Sequence, residues 1–116
     1  MPLLRLQLNG SLARSAQKTL LTDLASSVSK ALEKPEGYTM VVLEPQTPIY
    51  FGGSPDPAAF FEVRSIGSIS SDQAKAISSS VSDILRDQLQ IDPQRIYSNF
   101  GSVERTMWGH NGQTFG

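Results

Sequence analysis

Pro2-Leu3-Leu4-Arg5-Leu6-Gln7-Leu8 alternates in character, with Leu4, Leu6 and Leu8 on one side, Arg5 and Gln7 on the other, and Asn9-Gly10 directly behind. A period of two predicts a half-buried strand that begins at residue 2 and ends in a turn. Leu12, Ala16, Leu20, Leu24, Val28 and Leu32 then recur every four residues and lay an apolar stripe along one side of a helix. Pro35 disfavours helical backbone at Lys34, so the helix is expected to end near Lys34-Pro35. Strand, turn and helix are the theme that the remaining sequence repeats.

Tyr38-Thr39-Met40-Val41-Val42-Leu43 is rich in strand formers and nearly continuous in hydrophobicity, which predicts a strand covered on both faces and ended by Pro45 and Pro48. Tyr50-Phe51-Gly52-Gly53-Ser54-Pro55-Asp56-Pro57 reads as a turn-rich connection. Beyond it the order recurs: a strand over Ala58–Ser65, a turn at Gly67, a helix from Ser71 to Leu89 and a strand over Arg95–Phe100. Ser70-Ser71-Asp72-Gln73 has capping-box spacing, and Ala74, Ile77, Val81, Ile84 and Leu85 follow at helical intervals. Ser26-Ser27-Val28-Ser29 and Ser79-Ser80-Val81-Ser82 are identical strings at matching places in the two helices, each followed three residues later by Leu32 or Leu85. This suggests an internal duplication.

The reading is therefore a single α/β (α+β) domain over residues 1–116, with a pseudo-repeat of about 2–57 and 58–116. Two strand-helix-strand units with right-handed crossovers make one four-stranded sheet with both helices on one face. Two helices cannot cover both faces of that sheet, so its second face is expected to pack on further copies of the chain.

Apolar residues make up 39% and charged residues 18%, which excludes a disordered chain. Ten basic against eleven acidic side chains leave a net charge of -1, too little field to hold nucleic acid or an anionic membrane. The absence of cysteine removes disulfides, thiolate metal sites and thiol nucleophiles. Arg5 interrupts the opening apolar residues and no long apolar stretch follows, so neither a secretory signal nor a membrane span is expected. A cytoplasmic protein is the simplest reading, and secretion without a signal peptide stays open beside it.

Seven groups of residues, spread from end to end, carry a resemblance. They are Pro2 behind the initiator Met, Lys34-Pro35 with Tyr38, Phe51-Gly52-Gly53-Ser54, Ser65-Ile66-Gly67, Asp92-Pro93 with Arg95, Tyr97-Ser98-Asn99, and Gly109-His110-Asn111-Gly112-Gln113-Thr114-Phe115. In this order and spacing the sequence resembles the macrophage migration inhibitory factor and D-dopachrome tautomerase family. The resemblance implies a homotrimer with active sites at subunit boundaries and keto-enol tautomerase activity on phenylpyruvate-like and dopachrome-like substrates. It makes Pro2 the catalytic base after removal of Met1, with Lys34 and Ile66 lining its pocket and Tyr97 and Asn99 reaching in from a neighbouring subunit. Ser65, Trp108 and Phe115 fall at or near the rim. Ala58-Ala59-Phe60-Phe61 stands where many members carry Cys-Ala-Leu-Cys, so the thiol-disulfide activity attributed to the family has no basis here. His110 stands where Trp is common and Trp108 falls two residues earlier, which alters the aromatic wall.

These residue types suit the implied chemistry. Moving a proton between carbon and oxygen of an α-keto acid needs a base that is unprotonated near neutrality. A terminal amine starts from a pKa of roughly 7.7 to 8.0, and a secondary amine is intrinsically more basic, so the surroundings must lower it. An apolar pocket of Ile66, Trp108 and Phe115 disfavours the cation, and the Lys34 ammonium pushes the same way. Lys34 would also hold the substrate carboxylate, while Asn99 and the Tyr97 hydroxyl would donate hydrogen bonds to substrate oxygens as charge develops. No metal or organic cofactor is required.

Each residue also has a plainer role. Lys34 is a helix-end cation favoured by the macrodipole, and Tyr97 and Asn99 alternate on a strand where tyrosines commonly serve packing. Gly52, Gly53 and Gly67 serve turns with no phosphate-binding pattern around them. His110, the single histidine, has no metal-ligating residue at suitable spacing and is expected to be structural or exposed. The alternative function is a cytokine-like protein that binds a receptor with its pocket vestigial; no sequence feature requires a receptor. A third reading is hydration, dehalogenation or decarboxylation on the same scaffold, for which no additional acid is clearly positioned.

Overall fold

The computed structural model describes residues 1–116. The alternation at the start of the chain forms β1 (Pro2–Leu8), whose even-numbered residues are buried and odd-numbered ones half-exposed. α1 (Arg14–Leu32) follows, then β2 (Met40–Glu44), β3 (Ala59–Ile66), α2 (Ser71–Leu89), β4 (Ile96–Val103) and a tail hairpin of β5 (Gly109–His110) and β6 (Gln113–Thr114). The main sheet has the order β2-β1-β3-β4. β1 and β3 pair antiparallel at its centre, and each takes the second strand of its own unit as a parallel neighbour. The two strand-helix-strand units thus stand side by side with opposed central strands. No helix is long and apolar enough to cross a membrane.

Both helices pack on the face that carries Leu4, Leu6, Leu8, Phe61 and Val63, against Leu20, Leu24 and Val28 of α1 and Ile77, Val81 and Leu85 of α2. All eleven of these residues are essentially inaccessible to solvent, and burial of each large aliphatic side chain stabilises the fold by about 1.5–3 kcal/mol. Phe100 adds an edge-to-face contact with Phe61 at a centroid distance of 6.2 Å.

The helix ends depart slightly from expectation. α2 starts with the expected capping box: Ser70 Oγ accepts from the Gln73 N–H, and Gln73 Oε1 accepts from the Ser70 N–H. α1 has no counterpart, because Ala13 occupies its N-cap. Its end falls at Leu32 rather than at Lys34-Pro35. Glu33 adopts a left-handed conformation (φ 54°), and the Lys34 N–H donates to the Ser29 carbonyl, closing the helix before proline can act.

Two strand boundaries also shift. Tyr38 is not in β2 but closes a 3-10 turn over Glu36–Tyr38, its N–H donating to the Pro35 carbonyl. β4 runs past Phe100 to Val103, because parallel pairing with β3 continues as far as Ile66 opposite Val103. Gly101 and Ser102 hide that extension by breaking the apolar pattern.

The open face of the sheet is less apolar than the sequence suggested. β2 is an edge strand, covered on neither face as fully as expected, and Met40 is strongly exposed. Arg5 lies across the middle of the open face, 3.0 Å from Glu62 and 3.7 Å from Glu44. Apolar side chains such as Leu3, Met40, Phe60 and Ile66 flank this charged belt.

Candidate active site

The start of β1 lines a cleft of about 550 Å³. Antiparallel pairing puts Pro2 opposite Ser65 and Leu3 opposite Arg64. The other wall comes from the tail. A 3-10 turn over Arg105–Met107 leads into Trp108, and the β5–β6 hairpin then doubles back. The Phe115 N–H lies 3.2 Å from the carbonyls of both Arg105 and Trp108, which pins the chain end beside the turn. His110 stacks on Phe115 with centroids 5.6 Å apart and planes 13° from parallel. Trp108, His110 and Phe115 bring the tail's aromatic rings into the cleft, and Tyr38, Met40 and Met107 line it too.

Pro2 is fully buried and Met1 half-buried, both facing the cleft. Burial first, and the Lys34 ammonium second, hold the Met1 amine below its ordinary pKa. No Asp or Glu lines the cleft; Arg64 is its one side chain with a permanent charge.

The proposed site residues divide into three groups. Pro2, Trp108 and Phe115 line one cleft. Lys34 is exposed just beyond α1 and acts by charge on the terminal amine. Ser65 is not at a rim: it is 2% exposed, behind Pro2, with its Oγ donating to the Ile66 carbonyl at 3.3 Å. Ile66 lines an adjoining depression formed with Gly67 and the start of the tail, which shares Val103 with the main cleft.

Tyr97 and Asn99 stand apart. They oppose Phe60 and Glu62, whereas Ser65, the partner of Pro2, opposes Ser102. At about 3.3 Å per residue, Tyr97 lies roughly 17 Å and Asn99 roughly 10 Å along the sheet from that level. Within one chain they do not join Pro2. Tyr97 is 67% exposed and packs its ring on Phe51, with centroids 4.6 Å apart.

Arg64 and His110 are cleft residues for which the sequence reading assigned no site role. Strand alternation could have found Arg64, which shares a face with Ile66. The stacking of His110 on Phe115 depends on the tight hairpin, with Asn111 at φ 54° and Gly112 at φ 75°, which the sequence reading did not resolve.

A mixed four-stranded sheet of two strand-helix-strand units, backed by two helices, is the fold of the tautomerase superfamily. The whole chain, residues 1–116, matches the family described as macrophage migration inhibitory factor. It is 38% identical over 101 residues to the macrophage migration inhibitory factor of Xenopus laevis, covering 87% of this chain and 88% of that one. The crystal structure of a homologue from Prochlorococcus marinus superposes with a TM-score of 0.92 at 34% identity, covering 98% of this chain and 99% of that one. A protein crystallised after inactivation by 2-oxo-3-pentynoate shares the fold alone, at 17% identity and a TM-score of 0.85 over 97% of this chain and 94% of that one. The chain belongs to the macrophage migration inhibitory factor family.

Proposed function

We propose that the chain is a keto-enol tautomerase of phenylpyruvate-like and dopachrome-like substrates, with the Pro2 amine as general base once Met1 is removed. The observation that carries this reading is Pro2 buried in the wall of an aromatic cleft that no carboxylate lines. Burial and Lys34 already lower the proton affinity of the amine one residue earlier. Removing Met1 moves the terminal amine one residue further into the fold, where desolvation is stronger.

In the proposed reaction the neutral Pro2 nitrogen takes a proton from the carbon next to the keto group of an aryl pyruvate. The C–H electron pair becomes the carbon-carbon double bond, and the carbonyl oxygen, having gained the carbonyl π pair, takes a proton from water to give the enol while the Pro2 ammonium releases its proton to the hydroxide left behind. Return of the proton to carbon reverses the sequence, so no oxidant, metal or organic cofactor enters the balance. Lys34 pairs with the substrate carboxylate, the ring lies against Trp108 and Phe115, and Ile66 closes the adjoining side. Ser65 supports the backbone under Pro2. Tyr97 and Asn99 serve through a homotrimer, donating from the open face of a neighbouring copy to the developing oxyanion.

Intact mass measured alongside phenylpyruvate turnover tests the reading. Active protein should lack Met1, and Pro2→Gly should lose about 100-fold or more in kcat/KM, the scale of a positioned base. 2-Oxo-3-pentynoate should leave a single adduct on the N-terminal peptide. Active protein that retains Met1 sinks the mechanism, and an assembled protein without turnover favours the receptor-binding alternative.

A further inference from the structure

Arg64 is a cation without a committed partner. Its nearest carboxylate is Glu62, at 3.9 Å, and Glu62 is already engaged by Arg5 at 3.0 Å. The Arg64 side chain is 52% exposed, yet the residue lines the same cleft as Pro2. Its guanidinium lies over the neighbouring strand at Gly101, where a Cβ would sit 3.8 Å from Nη1. The missing side chain at Gly101 thus leaves room for the guanidinium to swing. Lys34, acting at the terminal amine, is a separate cation on a different element.

The Arg64 cation in the wall of a cleft that no carboxylate lines, together with the Lys34 charge felt at the terminal amine, fits a ligand with two anionic groups better than a single carboxylate. We propose that the cleft takes ligands with two anionic groups, Lys34 holding the carboxylate next to the keto group and Arg64 a second one carried on the aromatic ring. This assignment rests on the tautomerase reading and names its substrate class: aryl keto acids that carry a second carboxylate. The planar guanidinium can meet that carboxylate with two parallel hydrogen bonds, which the Lys ammonium cannot.

Trp108 supplies a readout independent of turnover, because it is the only tryptophan in the chain and lines the cleft. Its fluorescence is titrated with terephthalate and with benzoate, which share a ring and differ by one carboxylate. The wild-type chain should bind terephthalate at least about tenfold more tightly, the yield of one charge-assisted contact. Arg64→Gln should cut that ratio to about twofold or less, and Arg64→Lys should restore part of it. Gly101→Leu, which leaves Arg64 in the chain but fills the space beneath it, should also lower the ratio. A wild-type ratio near one, or a ratio that Arg64→Gln leaves unchanged, overturns the proposal. Turnover of para-carboxyphenylpyruvate and phenylpyruvate is measured on the same samples. Turnover with an unmoved ratio removes Arg64 and keeps the tautomerase, whereas a ratio that falls without any turnover keeps the dianion site and removes the tautomerase.

Discussion

Ser27 Oγ and Ser80 Oγ meet at 2.7 Å between the two helices. They are the second serines of the two identical four-residue strings, so equivalent positions of the two units touch each other. The next residue in each string, Val28 or Val81, is fully buried in the shared core. The hydroxyl pair lies at the seam of the helix layer, where α1 and α2 cross through small side chains.

That pair should show strong non-additivity. Ser27→Ala or Ser80→Ala leaves one part-buried hydroxyl without its partner and should cost about 1 kcal/mol. The double variant leaves neither hydroxyl unpaired, so its cost should fall below the sum of the two singles. Urea unfolding of the four proteins checks this, and strict additivity would mean that the two hydroxyls do not interact.

The unequal N-caps of the helices predict opposite responses. Ser70→Ala removes the side-chain acceptor of the Gln73 N–H, leaving only the bond from the residue-70 N–H to Gln73 Oε1, and should destabilise by about 1 kcal/mol. Ala13→Asp supplies α1 with the missing acceptor, and with an anion at the positive end of the helix, and should stabilise by about 0.5–1 kcal/mol. Thermal melts of the two variants should move in opposite directions.

The fold was readable because its strongest signals are local. Alternation from Leu4 to Leu8, the four-residue spacing from Leu20 to Leu32 and the cap at Ser70 each determine an element without reference to distant residues. The sequence was less informative wherever a long-range partner decides. Tyr38 has the composition of a strand residue but is claimed by a 3-10 turn, and Ser102 and Val103 join β4 only because β3 lies beside them. The site divides in the same way. Pro2, Trp108 and Phe115 line one cleft. Ser65 is buried because its position is set by pairing with Pro2, and Arg64 is legible only through strand alternation, which puts it on the face of Ile66, two residues along β3.

Arg95 ties down the connection between the two units. Its guanidinium donates to the carbonyls of Phe51, Ser54, Asp56 and Pro57 at 2.9–3.1 Å, and it lies 5.4 Å from the centre of the Phe51 ring. Phe51 in turn supports Tyr97. Arg95→Ala removes all four bonds and should destabilise by about 2–4 kcal/mol, since hydrogen bonds to a charged group are worth about 1.5–3 kcal/mol each and some of the freed carbonyls recover water. Arg95→Lys should recover little, because an ammonium cannot match the fork. Denaturant melts give the stability, and limited proteolysis should show cleavage within residues 51–57 appearing first.

Lys34 should set the acid limb of the pH profile. In the Met1 chain, burial is the larger cause that lowers the amine pKa and Lys34 the smaller, and the proposed mechanism needs both to act on the Pro2 amine as well. The base works only when neutral, so kcat/KM should rise with pH through a midpoint below that of a free N-terminal proline amine. Lys34→Gln removes one of the two causes, so the midpoint should move to higher pH while KM rises from the lost carboxylate contact. The stability linkage has a definite sign. A depressed amine pKa means that the unfolded chain binds more protons in the window between the folded and unfolded values. Stability should therefore rise with pH across that window, and the rise should be smaller in Lys34→Gln. Rate profiles and urea midpoints collected on the same samples separate the two roles. An acid limb that Lys34→Gln leaves in place while KM rises would make Lys34 a binding residue only, with burial alone tuning the base.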